Sequence, residues 1–142
     1  MQPAGLIDTG AIFAMVNHRD RWHSSCLEAL RSVRIPLLTT EAVLTELFHL
    51  VLSHQCDSER VWSFVRSGAL TVSSISHSDL PELQALMAKY RDRPMDFADA
   101  TLVHLAAREG LSLILTVDHD DFQTYRIGGR KRFTILPSPL GR

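Results

Sequence analysis

The hydrophobic residues of this 142-residue chain form short continuous runs that alternate with longer segments of helical period. Short apolar runs predict strands buried on both faces, and apolar positions that recur every three or four residues predict amphipathic helices. The predicted strands are 5–8, 35–39, 70–75, 111–117 and 133–136, and the predicted helices are 9–16, 20–33, 40–53, 57–68, 78–91 and 96–109. Strands that alternate with helices predict an α/β fold, a central parallel sheet flanked by helices.

Capping residues and helix breakers mark several of these boundaries. Thr39 or Thr40 is placed to cap the third helix, and Asp57 is placed to cap the fourth. Pro81 falls in the first turn of its helix, where proline is tolerated, and Gly110 ends the helix 96–109. The acids that follow residue 117 fall in a predicted loop.

Composition is typical of one globular domain over residues 1–142. Hydrophobic residues make up 45% and charged residues 22% of the chain, which excludes a disordered chain. The net charge of −1 excludes a generally basic nucleic-acid clamp, so any contact with nucleic acid has to be local or assisted by a metal.

The chain shows no sign of export or of membrane insertion. No apolar run approaches the roughly 18 residues that a membrane span needs. The first 16 residues carry no basic residue ahead of their apolar stretch, which is unlike a signal peptide. Cys26 and Cys56 are the only cysteines and do not make a disulfide scaffold. We therefore expect a cytoplasmic protein with reduced thiols.

Two aspartates come directly after predicted strands. Asp8 follows the first apolar run, and Asp118 follows the run that ends at Val117. The carboxyl ends of parallel strands meet at one edge of a sheet, where α/β proteins bind their ligands. An aspartate at a strand end is about equally often a helix cap or a turn residue, and that alternative stays open for both.

Asp99 is the most informative acid. On a helical wheel of residues 96–109 it falls inside the apolar arc, beside Leu102, Val103 and Ala106, while Thr101 falls on the opposite side. A carboxylate in that position has to be paired, bound to a metal or protonated, because burying it alone is very costly. The alternative to a metal is a salt bridge to an arginine that the sequence does not identify.

Asp96 and Glu46 are weaker candidates for the site, and the case for each depends on the other acids. Asp96 lies three residues before Asp99 and so shares a helical face with it, although it is equally well placed as the helix N-cap. Glu46 borders the apolar arc of its own helix beside Leu50. Boundary glutamates are usually solvated, so the interest of Glu46 depends on the other acids.

Several carboxylates that meet at one sheet edge would form a cage of hard oxygen ligands. Such a cage suits Mg²⁺ or Mn²⁺, and without a cation its charges would repel one another. A metal in that position can hold a phosphate and lower the pKa of an attacking water. The residues alone therefore favour metal-dependent cleavage of phosphate esters.

Four segments give the chain a resemblance to the PIN-domain family, and within it to the VapC-like toxin ribonucleases. They are Leu6-Ile7-Asp8-Thr9-Gly10-Ala11, Thr45-Glu46-Leu47, Pro94-Met95-Asp96-Phe97-Ala98-Asp99-Ala100, and Thr116-Val117-Asp118 with Asp121-Phe122. They occur in the family order and span nearly the whole chain. The resemblance implies a three-layer α/β domain that hydrolyses RNA phosphodiesters with Mg²⁺ or Mn²⁺.

The resemblance also implies roles for the acids. According to the resemblance, Asp8 would be the first metal ligand and Asp99 the second. Asp118 would be the fourth acid of the site, and Asp96 an accessory acid. Glu46 would complete the cage or orient water. Thr9 and Thr116 would form hydrogen bonds to the metal ligands. Asp120 and Asp121 compete for the role of the loop acid, and Asp121 would be the structural one of the two. Gly10 stands where many relatives carry a small polar residue.

Partners follow from the resemblance alone. It implies an RNA substrate, for which tRNA is one possibility, a homodimer, and a cognate VapB-like antitoxin that blocks the acidic groove. The alternative is a non-catalytic PIN-fold binding module that acts through protein partners. The two differ in whether function survives Asp8→Asn.

The remaining polar features allow ordinary structural interpretations. Residues 119–142 carry five basic and two acidic residues, a net charge of +3, which suits either an RNA backbone or a solvated β-hairpin around Gly128-Gly129. His23 and Cys26 have the spacing of metal ligands, but no second pair accompanies them. His119 is placed either to contact a phosphate or as an ordinary loop residue.

Overall fold

A computed structural model describes residues 2–139, and this part of the chain forms five strands and seven α-helices. The strands are β1 (Gly5–Ile7), β2 (Leu37–Thr40), β3 (Leu70–Ser73), β4 (Leu113–Leu115) and β5 (Thr134–Leu136). The helices are α1 (Thr9–Val16), α2 (His23–Ser32), α3 (Glu41–Ser53), α4 (Ser58–Arg66), α5 (Leu80–Lys89), α6 (Phe97–Glu109) and α7 (His119–Thr124). A single 3-10 turn, His77–Asp79, leads into α5.

The strands form one sheet in the order β3-β2-β1-β4-β5, with every neighbouring pair parallel. The three-layer α/β fold is therefore confirmed. The chain builds outward from β1 through β2 to β3, and then returns to the other side of β1 to form β4. The reversal puts a topological switch point between β1 and β4, where α/β sheets open a crevice beyond the strand ends.

The central strands and α6 form the core. Every residue of β1 is buried, and β4 has Ile114 and Leu115 at 0% exposure. Helix α6 packs against α3, α5 and the sheet. Because it is covered on more than one side, Thr101 is buried as well, with its hydroxyl 2.9 Å from that of Thr40. The expectation that Thr101 lies on a polar side of this helix was wrong.

The predicted caps explain where several helices begin and end. The Thr40 side chain accepts a hydrogen bond from the Val43 N–H, whereas the Thr39 hydroxyl donates to the carbonyl of Ile7. Thr40 is therefore the cap of α3. The Asp57 side chain caps α4, and Gly110 ends α6 with a φ of 69°, in the left-handed region that favours glycine.

The two largest differences from the prediction concern α2 and α7. Helix α2 begins three residues late, because the Asp20 side chain accepts a hydrogen bond from the Trp22 N–H and holds the preceding residues in a turn. The predicted loop of acids contains helix α7, which buries Phe122 completely. No helix within residues 2–139 is long and apolar enough to cross a membrane.

Candidate active site

A cavity of about 700 Å³ opens beside the carboxyl ends of β1 and β4. All five acids selected from the sequence line it, and they come from four different places in the chain. The lining residues are Asp8, Thr9, Gly10, Thr45, Glu46, His49, Leu50, Asp96, Asp99, Val117 and Asp118. The fold thus brings the predicted acids together at the predicted edge of the sheet.

Asp8 lies at the floor of this cavity and has two tasks. Its Oδ1 accepts a 2.7 Å hydrogen bond from the backbone N–H of Thr9, which caps α1. Its Oδ2 accepts a 3.0 Å bond from the Thr116 hydroxyl. Burial raises the pKa of Asp8 to about 6 even though both hydrogen bonds favour the carboxylate. Asp8 therefore caps α1 and lines the cavity at the same time.

Asp99 is buried in the first turn of α6, as its place in the apolar arc predicts. The Tyr125 hydroxyl donates a 2.8 Å hydrogen bond to its Oδ2. No ion pair within residues 2–139 includes Asp99, so the described structure does not contain the arginine partner left open by the sequence. Burial, followed by the negative charges of Asp8 and Asp96, raises the pKa of Asp99 to about 8.

Glu46 and Asp96 both line the cavity, next to Asp8 and Asp99. The Thr9 hydroxyl donates a 2.9 Å hydrogen bond to Glu46 Oε1, which turns this boundary residue toward the acids. Partial burial is the main reason that the pKa of Glu46 rises to about 7. Asp96 is the N-cap of α6, because its Oδ1 accepts a 2.8 Å bond from the N–H of Asp99. It also lines the cavity, so its two predicted positions are compatible.

Asp118 lines the cavity, and Asp121 lies beside Asp118 and Asp99 but outside the lining. Carboxylate oxygens of Asp99, Asp118 and Asp121 lie within 4.8 Å of one another. Partial burial, with Asp121 nearby, raises the pKa of Asp118 to about 7. Asp121 also pairs with Arg93 at 2.9 Å, which agrees with its predicted structural role. The proximity of Asp121 to Asp99 was not predicted. The i, i+3 spacing of Asp118 and Asp121 indicates only that these two acids lie close to each other.

The donor set fits a hard divalent cation. The potential ligands are carboxylate oxygens, which Mg²⁺ and Mn²⁺ prefer. The acids raise one another's pKa, so a positive charge at this place would relieve their repulsion. Thr9 and Thr116 each donate a hydrogen bond to one of the acids and fix its orientation.

Comparison with known proteins agrees with this arrangement. Residues 5–127 match the family model of the PIN domain. The chain belongs to the PIN domain family. It is 30% identical over 134 residues to Ribonuclease VapC26 of Mycobacterium tuberculosis (strain ATCC 25618 / H37Rv), an alignment that covers 93% of this chain and 99% of the relative. The resemblance stated from the sequence is thereby confirmed.

The PIN fold is also evident from a solved structure. The crystal structure of VapC20 from Mycobacterium tuberculosis, described as a Sarcin-Ricin loop cleaving toxin, superposes with a TM-score of 0.69. The two chains are 20% identical, and the match covers 78% of this chain and 86% of VapC20. At this identity the similarity concerns the fold.

The other polar candidates of this PIN domain serve the structure. The His119 ring is buried, with Nε2 2.9 Å from the carbonyl oxygen of Pro137, and does not face the cavity as a phosphate contact. His23 Nδ1 lies 2.8 Å from the carbonyl oxygen of Ala14. Cys26 is buried, which raises the pKa of its thiol to about 12. These contacts give His23 and Cys26 structural roles, so their metal-ligand spacing is explained as a coincidence.

Within residues 2–139, none of the basic residues of the C-terminal region belongs to the cavity lining: Arg126, Arg130, Lys131 and Arg132 are all absent from it. Arg126 closes α7, because its guanidinium donates to the carbonyls of Gln123, Thr124 and Tyr125. Gly128 and Gly129, with φ of 60° and 81°, form a tight turn that a single bridge between Ile127 and Lys131 closes. The predicted β-hairpin around these glycines is reduced, within the described residues, to this turn and its single bridge.

Proposed function

We propose that this protein is a metal-dependent endoribonuclease, the toxin of a toxin–antitoxin pair, which hydrolyses RNA phosphodiester bonds. The observation that carries the proposal is the convergence of five acids on one cavity at the switch point of a PIN fold. The curated relative is a ribonuclease by name, and the structural relative is described as a Sarcin-Ricin loop cleaving toxin. Both descriptions fit a cavity rich in carboxylates.

Four acids of the cavity would hold Mg²⁺ or Mn²⁺, with Asp96 as an accessory acid. The four are Asp8, Glu46, Asp99 and Asp118. When bound, such an ion lowers the pKa of an attacking water and offsets the charge of the phosphate. Glu46 has one oxygen fixed by Thr9, which leaves Oε2 to orient that water or to accept its proton.

Hydrolysis by water defines the products. The water oxygen bonds to phosphorus as the bond from phosphorus to the 3′ oxygen breaks, and the 3′ oxygen takes up a proton. The products then carry a 5′-phosphate and a 3′-hydroxyl. Attack by the RNA's own 2′-hydroxyl would instead leave a cyclic phosphate.

The partners of the proposed toxin are an RNA, with tRNA as one candidate, and a VapB-like antitoxin that blocks the acidic cavity. We also propose a homodimer and a cytoplasmic location, where RNA substrates occur. Support for a protein contact comes from α3 and α4, which expose Leu52 and Trp62, with the Trp62 ring 4.7 Å from that of Phe48. Exposed apolar groups of this kind are typical of protein interfaces.

The test is cleavage of total RNA and of a tRNA pool by purified, antitoxin-free protein in Mg²⁺, in Mn²⁺ and in EDTA. We expect discrete fragments with 5′-phosphate ends that require metal and disappear with Asp8→Asn. Cleavage in EDTA, or fragments with cyclic phosphate ends, would contradict the mechanism. Folded protein that binds metal, leaves every RNA intact and keeps its biological effect with Asp8→Asn would instead be a non-catalytic binding module.

A further inference from the structure

The Tyr125 side chain connects the end of α7 to the acid at the centre of the site. Its hydroxyl lies 2.8 Å from Oδ2 of Asp99 and donates a hydrogen bond to it. Both side chains are buried. We propose that Tyr125 is a positioning residue, which holds the Asp99 carboxylate in the orientation that binds the divalent cation. This inference rests on the proposed function.

The hydroxyl of Tyr125 is explained by its hydrogen bond to Asp99. Tyr125 is completely buried, and a phenylalanine would supply the same ring without a polar atom. Burying a hydroxyl without a hydrogen-bond partner is unfavourable, so a buried tyrosine hydroxyl requires a partner. Within residues 2–139 that partner is Asp99.

The ring is held in place independently of its hydroxyl. It makes edge-to-face contacts with Tyr90 and with Phe122, at centroid distances of 5.0 and 5.1 Å. Phe122 belongs to α7, the helix that carries Asp121 and is preceded by Asp118. The same aromatic cluster therefore sets the position of α7 and the direction of the hydroxyl, and so aligns acids from two elements.

A neutral donor suits a carboxylate that has to bind a cation. A phenol satisfies one oxygen of Asp99 without cancelling its charge, whereas an arginine or lysine would neutralise it and compete with the metal. In the described part of the chain no hydrogen bond occupies Oδ1 of Asp99. Tyr125 thus fixes one oxygen and leaves the other available to the cation.

The test is the affinity for Mn²⁺, measured by isothermal titration calorimetry on the wild-type protein, Tyr125→Phe and Tyr90→Phe. Tyr90→Phe is the matched control, because it also removes one phenol hydroxyl from the aromatic cluster. That hydroxyl accepts a 2.9 Å bond from the N–H of Arg126 and touches no acid of the site. We expect about 10- to 100-fold weaker binding for Tyr125→Phe and no change for Tyr90→Phe.

A second measurement separates positioning from loss of structure. All the acids remain in Tyr125→Phe, so a saturating concentration of Mn²⁺ should restore its cleavage rate while the concentration needed for half-activation rises. Equal affinity of Tyr125→Phe and wild type, or equal losses in both variants, would overturn the role of Tyr125. If the wild-type protein itself binds no Mn²⁺, the proposed function fails instead.

Discussion

The hydroxyl of Thr116 donates a 3.0 Å hydrogen bond to Oδ2 of Asp8, although 108 positions separate the two residues. The same hydroxyl oxygen accepts a 3.0 Å bond from the N–H of Asp118. Asp8 follows β1 and Thr116 follows β4, and these strands are neighbours at the switch point of the sheet. One buried side chain therefore sets the positions of two acids of the site.

Replacing Thr116 should damage both stability and metal binding. Thr116→Val keeps the shape but removes the donor to Asp8 and the acceptor for Asp118, so we expect a loss of about 1–3 kcal/mol in the free energy of unfolding. Affinity for Mn²⁺ should fall about 10- to 100-fold, because Asp8 is no longer oriented. Denaturant unfolding and calorimetry measure the two effects.

Thr39→Val is the control for that experiment. Thr39 is also fully buried, on β2 at the other side of β1, and its hydroxyl donates a 3.0 Å bond to the carbonyl of Ile7 rather than to an acid. We expect a loss of stability without a change in Mn²⁺ affinity. Equal affinities for the two variants would mean that Thr116 has no part in metal binding.

The role of Asp121 can be tested, because it either forms only the ion pair with Arg93 or also contributes to metal binding. If its carboxylate contributes to the field on the cation, Asp121→Asn should weaken Mn²⁺ binding. Arg93→Met should strengthen it by removing a competing positive charge. The melting temperature should barely change in Arg93→Met, because the pair is exposed. Unchanged Mn²⁺ affinity in both variants would leave Asp121 with a structural role only.

Gly10 is required by close packing at the start of α1. A Cβ atom at this position would lie 2.6 Å from Cγ2 of Val117, which is far too close. We expect Gly10→Ala to lower stability by about 1–3 kcal/mol, as overpacking does. In a Val117→Ala background the same change should be stabilising by up to about 1 kcal/mol, because alanine is the better helix former. A thermal or denaturant double-mutant cycle without coupling would refute the explanation.

The raised pKa values of the acids predict the pH dependence of stability in the absence of metal. The pKa is about 6 for Asp8 and about 8 for Asp99, against about 4 in an unfolded chain. Between about pH 4 and pH 8 the folded state therefore holds more protons than the unfolded state, so the free energy of unfolding falls as pH rises. Thermal melts from acid to mildly alkaline pH in EDTA measure this slope.

Asp99→Asn is the comparison variant for this pH dependence of stability, because its amide side chain does not titrate. Its stability should decline less steeply with pH than that of the wild type. Adding Mn²⁺ should stabilise the wild type most at the alkaline end, where the acids are ionised and repel one another. A wild-type stability that rises with pH over this range, or identical slopes in the two proteins, would contradict the electrostatic description of the site.

Much of the site was predictable because the decisive signals are local. The apolar arc of α6 predicted that Asp99 is buried, and the ends of two apolar runs predicted where Asp8 and Asp118 lie. Parallel topology then implied one common edge. Glu46 was a weak candidate by itself, since its orientation depends on the Thr9 hydroxyl, which belongs to another helix.

The contacts that fix the acids were less predictable because they join distant parts of the chain. The partner of Asp99 is Tyr125, 26 positions away, and nothing in the local sequence around Asp99 indicates it. Asp121 appeared to be a loop residue because α7 is only six residues long and leaves too short a pattern to detect. Once α7 is known, the proximity of Asp118 and Asp121 follows from helical geometry.

The most direct test of the central claim is the cleavage rate of one RNA substrate in Mn²⁺ by the wild type, Asp99→Asn and Asp120→Asn. Asp120 is an exposed acid of α7 outside the lining of the cavity, so Asp120→Asn controls for the loss of one negative charge. We predict wild-type cleavage by Asp120→Asn, and none by a folded Asp99→Asn. Cleavage by Asp99→Asn at the wild-type rate would contradict the assignment of this cavity as the active site.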